Sequence, residues 1–200
     1  MSSTDSATDA AQSALQAREK LIIAAGECVD RGGIDRATVG AIAEAAGVHR
    51  VTFYRHFADK EAILVEVLKR RMAPVLRRAA RKLRPGAPFP DALIDAMADA
   101  IREVRAAPEL MAIIGLPQTG EPRRSPGTSE PFLRSAVGVA GPYLRRAQDV
   151  GLVRGDISVD ELMDWLVHIC TAELLMEPDL SDMQTRRRLQ LFVLPAVRSA

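Results

Sequence analysis

The chain of 200 residues is 48% hydrophobic and 26% charged, the profile of a soluble globular protein of one or two domains with a sizeable core. It contains no run of 18 apolar residues, so no transmembrane helix is expected, and its polar start, "MSSTDSATDAAQSA", lacks the apolar core of a signal peptide. The formal net charge is +1 but unevenly spread: residues 1–85 hold 15 Lys and Arg against 10 Asp and Glu, residues 86–200 hold 12 against 16, a weak pointer to a polyanionic partner for the first part alone.

Residues 1–13 read as a disordered leader. A first helix is predicted from Ala14 to Arg31, with Leu21, Ile22, Ala25 and Val29 as its apolar stripe and Gly32-Gly33 as its stop. Thr38 is placed to cap a second helix, Val39 to Ala46, which Gly47 ends. Asp59 caps a long helix that carries Ile63, Leu64, Val67, Leu68, Met72, Val75 and Leu76 on one side and runs to Leu83, with Pro74 as a potential bend. "RPGAPFP", Arg84 to Pro90, is a break and the expected domain boundary. Five further helices are predicted: Asp91–Ala106, a short one from Pro108 to Ile114, Phe132–Val150 with Gly141-Pro142 as a potential kink, Val159–Met176 and Asp182–Val197. The Pro-, Gly- and Ser-rich stretch over 115–131 reads as a long loop. No strand alternation and no solenoid repeat occurs, so the fold class is all-α with about nine helices. Cys28 and Cys170 are far apart and lack zinc-type spacing, so they are expected as two buried free thiols.

One stretch stands apart. "GVHRVTFYRHF", Gly47 to Phe57, concentrates three aromatics, two histidines and two arginines in a chain that is only 4% aromatic and has three histidines. Two short helices joined at Gly47 and preceded by a longer one make a helix-turn-helix unit. Ala43 is small enough to let the two helices approach, and Gly47 takes positive φ without steric cost. At 100° per residue Phe53 and Phe57 point together toward the core. Arg50, Val51, Thr52, Tyr54 and Arg55 are left facing outward, where donors, a hydroxyl and an aromatic tip meet a nucleic-acid groove, with Thr38, His56 and Lys60 beside them to meet phosphates.

"ATVGAIAEAAGVHRVTFYRHFADKEAIL", Ala37 to Leu64, resembles the DNA-binding segment of the TetR family of bacterial transcriptional regulators. The resemblance rests on Thr38, Ile42-Ala43, Ala46-Gly47-Val48, Thr52-Phe53-Tyr54, His56-Phe57, Lys60 and Glu61, and extends weakly back to Lys20. "GLVRGDISVDEL", Gly151 to Leu162, is similar to the turn that often precedes the family's dimer-forming helices. Three positions depart from the family's habit: His49 replaces a small capping residue, Val51 replaces Gly, Ala or Pro, and Gly40 replaces a long side chain.

The resemblance implies a helix-turn-helix DNA-binding domain over 14–60, a connecting long helix over 61–84, and a helical bundle over 85–200 for ligand binding and dimerisation. It implies a cytoplasmic homodimer on a palindromic double-stranded operator with half-sites roughly 34–36 Å apart or a multiple of that. Arg50, Val51, Tyr54 and Arg55 would face bases, with His49 as a further candidate, while Thr38, Thr52, Tyr54, His56 and Lys60 would hold the backbone. A largely apolar small-molecule effector would enter the second domain and release the DNA, which makes the chain a repressor. Candidate lining residues are Met97, Ile101, Met111, Ile114, Phe132, Trp165, His168 and Met176, with Trp165 foremost as the single tryptophan on an expected inner helix. Asp164 and His168 lie four apart, but two ligands on one helix are too few for a metal, and no metal or cofactor is expected. The alternatives are a helical scaffold protein and a small helical enzyme; no GxSxG, P-loop or HExxH supports the latter, so no enzyme is expected.

Overall fold

The computed structural model describes residues 3–115 and 126–199, and among them finds nine α-helices, one 3-10 turn and no strand. The helices are α1 (Ser3–Arg36), α2 (Val39–Ala45), α3 (Arg50–His56), α4 (Lys60–Lys82), α5 (Phe89–Arg105), α6 (Pro108–Ile114), α7 (Glu130–Asp149), α8 (Val159–Met176) and α9 (Asp182–Val197), with the 3-10 turn at Pro126–Thr128. The chain divides into two compact units, Met1–Val67 and Leu68–Ala200. The division falls inside α4, not at the Pro- and Gly-rich break over 84–90, because α4 continues through Pro74 to Lys82.

In the first unit α2 packs on α1, and α3 packs on both. Leu21, Ala25, Ile42, Phe53, Ile63 and Leu64 are its innermost side chains, so the apolar stripe read along α1 is the face that is buried. Helix α1 differs from expectation at both ends. It begins at Ser3, inside the stretch read as a leader, and it reaches Arg36 across a break at Gly33 (φ 72°, ψ 178°). The glycine pair therefore interrupts the helix, and one more turn leads to Thr38.

In the second unit α5 is central: α6, α8 and α9 pack against it, and α7 packs on α8. Ile94, Ile101 and Val104 of α5, Ile113 of α6, Leu144 of α7, Leu162 of α8 and Leu189 of α9 are fully or almost fully buried. Helix α7 continues through Pro142 without a second segment. It closes at Gly151 (φ 72°), where Leu152 N–H donates to Ala147 O and Gly151 N–H to Gln148 O, the two bonds of a Schellman end. Much of the loop expected over 115–131 lies outside the described residues, and its described end is the 3-10 turn.

The Arg105 guanidinium ties three elements together. It donates to the carbonyls of Glu173 and Glu177 at the end of α8, to Leu180 O in the following turn, and to Thr185 Oγ1 on α9. A cation at a helix C-terminus satisfies carbonyls that have no intrahelical partner.

Candidate functional site

The first unit builds an outward-facing surface from α2, its turn and α3. Thr38 caps α2, its Oγ1 accepting from Ala41 N–H at 3.2 Å. Gly47 (φ 66°) ends α2 in a second Schellman arrangement, with Val48 N–H on Ala43 O and Gly47 N–H on Glu44 O, both 3.0 Å. That turn fixes the direction in which α3 leaves. His49 sits at the cap position of α3 but makes no capping hydrogen bond, so its ring is free of the turn and exposed.

Burial sorts α3 by helical angle. Phe53 is fully buried and Phe57 nearly so, with ring centroids 5.7 Å apart. The Arg18 guanidinium covers the Phe57 ring at 5.2 Å and pairs with Glu66 at 3.2 Å, joining α1 to α4 around the aromatic pair. On the other side Val51 is 73% exposed and Tyr54 57% exposed, and His49, Arg50 and Arg55 are also exposed. Tyr54 rests one edge against Phe53 at 5.5 Å, which steadies the ring and leaves its hydroxyl outward. Thr52 and His56 are half-buried at the flanks, and Thr38 is exposed on the α2 side. Lys60 is more constrained than its sequence position suggests: its Nζ donates to Ile34 O at 2.8 Å, leaving two donors for anything else. At the start of α4, Asp59 Oδ1 accepts from Ala62 N–H at 2.7 Å, as its capping position requires.

Neither Arg50 nor Arg55 makes an ion pair within the described residues. The Arg50 side chain leans across the turn, so that a Cβ built on Gly40 would lie 3.5 Å from its Nη2 and 3.6 Å from its Cζ and Nε. The surface thus offers two uncommitted guanidinium groups, a phenol, hydroxyls and one bare apolar tip on a rigid two-helix frame.

In the second unit the sequence candidates for a ligand pocket do not converge. An apolar cavity of about 90 Å³ lies between α4, α5, α7 and α8, and of those candidates only Met97 lines it. Its other walls include Leu76, Ala79, Leu83, Ala100, Ala140, Leu144, Met163 and Cys170, with no charged side chain. Ile101, Ile114 and Phe132 are ordinary core, and Met111 is half-buried. Trp165 is 37% exposed and Met176 80% exposed, because the buried face of α8 is set by Leu162, Met163 and Leu166. His168 Nδ1 lies 2.7 Å from Asp164 O and 3.5 Å from Asp164 Oδ1, which uses the pair within its own helix. Both cysteines are free, Cys28 buried and Cys170 half-buried; surrounding burial, then the nearby Glu173, pushes the Cys170 thiol up to about 12. The signal that could have pointed to this cavity is alanine at four-residue spacing on α5, Ala96 and Ala100, opposite Ala79 and Ala80 of α4.

Sequence reading also missed a set of exposed apolar side chains on α8 and α9. Trp165, Leu175 and Met176 on α8 and Met183, Leu191 and Phe192 on α9 are exposed large side chains. Just ahead of α8, the turn is anchored to the end of α9: Arg154 N–H donates to Val197 O at 3.0 Å, and Gln148 Nε2 donates to Arg154 O and Ile157 O.

Comparison with known proteins identifies the first unit. The family described as bacterial regulatory proteins, tetR family, matches residues 21–67. An HTH-type transcriptional regulator of Mycobacterium tuberculosis is 41% identical over 58 residues, 29% of this chain and 31% of that protein. The HTH-type transcriptional regulator TcmR of Streptomyces glaucescens is 31% identical over 137 residues, 66% of this chain and 54% of that protein. The chain thus spans from about a third to about half of the length of the curated relatives it matches. Among solved structures, Thermus thermophilus FadR, described as a TetR-family repressor in complex with lauroyl-CoA, has a TM-score of 0.62 at 21% identity, covering 87% of this chain and 93% of that one. RolR without ligand has a TM-score of 0.64 at 17% identity, covering 91% of each chain. These two likenesses carry the fold: an all-α chain with an N-terminal helix-turn-helix followed by a larger helical unit. Residues 21–67 are thus a segment of the tetR family of bacterial regulatory proteins, within a chain whose fold is shared with these solved structures.

Proposed function

We propose that the chain is a ligand-responsive transcriptional regulator that binds a palindromic DNA operator as a homodimer and leaves it when a small apolar effector binds. The observation that carries the DNA half is the outward face of α3, where Arg50, Val51, Tyr54 and Arg55 are exposed while Phe53 and Phe57 hold the helix from behind. In this reading Arg50 reads a guanine edge, Val51 touches a thymine methyl, Tyr54 and Arg55 extend the contact, and His49 reaches the groove margin. Thr38, Thr52, His56 and the remaining donors of Lys60 hold phosphates. The second copy docks through exposed apolar side chains of α8 and α9, and a palindromic site would place its half-sites about one helical turn of DNA, or a multiple of it, apart.

The effector half rests on the cavity between α4, α5, α7 and α8. A lining without charge favours a compact apolar molecule over one with a charged head group, the opposite of what lauroyl-CoA demands of the FadR that binds it. Resorcinol, the ligand named with RolR, is nearer in size. Helix α4 contributes Leu76, Ala79 and Leu83 to the cavity wall and begins beside α3, so an effector that binds better to the DNA-free form would lower operator affinity along it. Repression is the mode this release mechanism favours.

Selection of duplex DNA by the purified protein tests the reading. The selected site is expected to be palindromic, with an affinity that falls steeply with salt. Arg50→Ala and Tyr54→Ala should each weaken operator binding by about tenfold or more and leave the dimer folded. Full affinity and full salt dependence in both variants would sink the DNA reading.

A further inference from the structure

Gly40 lies in the first turn of α2 without a positive φ, so no backbone demand calls for glycine there, and glycine weakens a helix relative to alanine. What the residue provides is room. The place of its missing Cβ is 3.5 Å from Arg50 Nη2, 3.6 Å from Cζ and 3.6 Å from Nε. Three nearly equal distances mean that the guanidinium is spread over Gly40 and does not point a single nitrogen at it. Arg50 is therefore rooted at the first position of α3 while its head group occupies the surface of α2. A Cβ would meet it at ordinary contact distance, and a longer side chain directed the same way would enter the space the guanidinium holds. The guanidinium makes no ion pair within the described residues, so its donors are uncommitted.

We propose that Gly40 and Arg50 form one base-reading unit, in which Gly40 determines specificity by letting Arg50 present its fork from above α2. The arginine supplies a polar head group where α2 has no side chain to offer, and its reach along the groove is set by the bareness of Gly40. The fork suits a guanine edge, which accepts two parallel N–H donors. This inference rests on the DNA-binding reading above.

The test has two arms. In the DNA-free protein, the Arg50 Nε–H resonance, assigned by its loss in Arg50→Lys, should shift in Gly40→Gln and in Gly40→Met, change little in Gly40→Ala, and leave the Arg55 resonance in place. On the selected duplex, Arg50→Ala should lose about tenfold or more of discrimination at one base pair. Gly40→Gln should lose it at the same base pair, and the double variant should lose no more than either alone. An unmoved Arg50 resonance overturns the proposal, as does Gly40→Gln retaining that discrimination or losses that multiply in the double variant; in each case duplex selection by the native chain stands. A native chain that selects no duplex overturns both this proposal and the DNA reading. Unchanged circular dichroism melts of the Gly40 variants separate these effects from unfolding.

Discussion

Phe53 and Tyr54 are neighbours in sequence with opposite surroundings, fully buried and 57% exposed. Phe53→Ala is expected to destabilise the protein by about 3–5 kcal/mol in urea unfolding, because it empties a fully buried aromatic site. Tyr54→Ala should stay within about 0.5–1 kcal/mol, since it removes an exposed ring and one aromatic edge contact. Equal losses from the two would mean that α3 does not present two faces. This sorting was legible because a 100° step per residue is all it requires. Cys170 was not legible: its environment depends on which helices meet around it. Burial raises its thiol to about 12, so the protonated form is favoured in the fold. The associated stability is fully present below the unfolded thiol value of about 8.5 and is lost as pH rises through about 12. Alkylation of Cys170 at pH 8.5 should accordingly be much slower in the folded chain than in urea. A folded rate matching the unfolded one would contradict that environment.

Caps were readable at the scale of the element because they are local. Thr38 and Asp59 occupy the capping positions the sequence suggested, and two full capping boxes, Ser158 with Glu161 and Ser181 with Gln184, open α8 and α9. In the first box, hydrogen bonds from the Ser158 hydroxyl and then its backbone N–H hold the Glu161 carboxyl below its ordinary value. A depressed carboxyl contributes stability above its unfolded pKa and loses it as pH falls. Ser158→Ala should therefore move the Glu161 titration upward by carbonyl-carbon NMR and destabilise the fold, less so at low pH. An unmoved titration would show that the hydroxyl is not the cause. Arg105 was opaque to sequence reading, since its acceptors lie 68 to 80 residues away and most are backbone carbonyls. Its truncation to alanine strips four acceptors at once, with an expected loss of about 3 kcal/mol concentrated at the α8 and α9 junction. Hydrogen exchange over 173–185 is the readout; uniform acceleration across the second unit would argue against a local clamp.

For the molecule as a whole, the all-α class followed from apolar spacing at three and four and from the absence of strand alternation. The dividing point at Val67 and Leu68 did not, because α4 runs through it unbroken and no Pro or Gly stands at those two positions. Of the pocket candidates read from sequence only Met97 lines the cavity, for a related reason: apolar spacing identifies a face but not what covers it, and Trp165 lies on a face of α8 that no other described residue buries completely. That face has a consequence for assembly. Trp165 and Met176 on α8 and Met183 and Leu191 on α9 are large apolar side chains left exposed, the kind of surface a second copy can cover. Interfaces between identical subunits are apolar at their centre and exclude charge there. Leu191→Glu and Met176→Glu each place a carboxylate where the second copy would dock, and two-fold symmetry brings each substitution in twice. Analytical ultracentrifugation should find the native chain as a dimer at micromolar concentration and both variants as folded monomers. On DNA, the variants should lose affinity for the full palindrome and keep the weak, salt-sensitive binding of a single helix-turn-helix to a half-site. Dimers that persist in both variants would move the interface away from α8 and α9, and half-site binding lost along with the palindrome would point to a disturbed reading head instead.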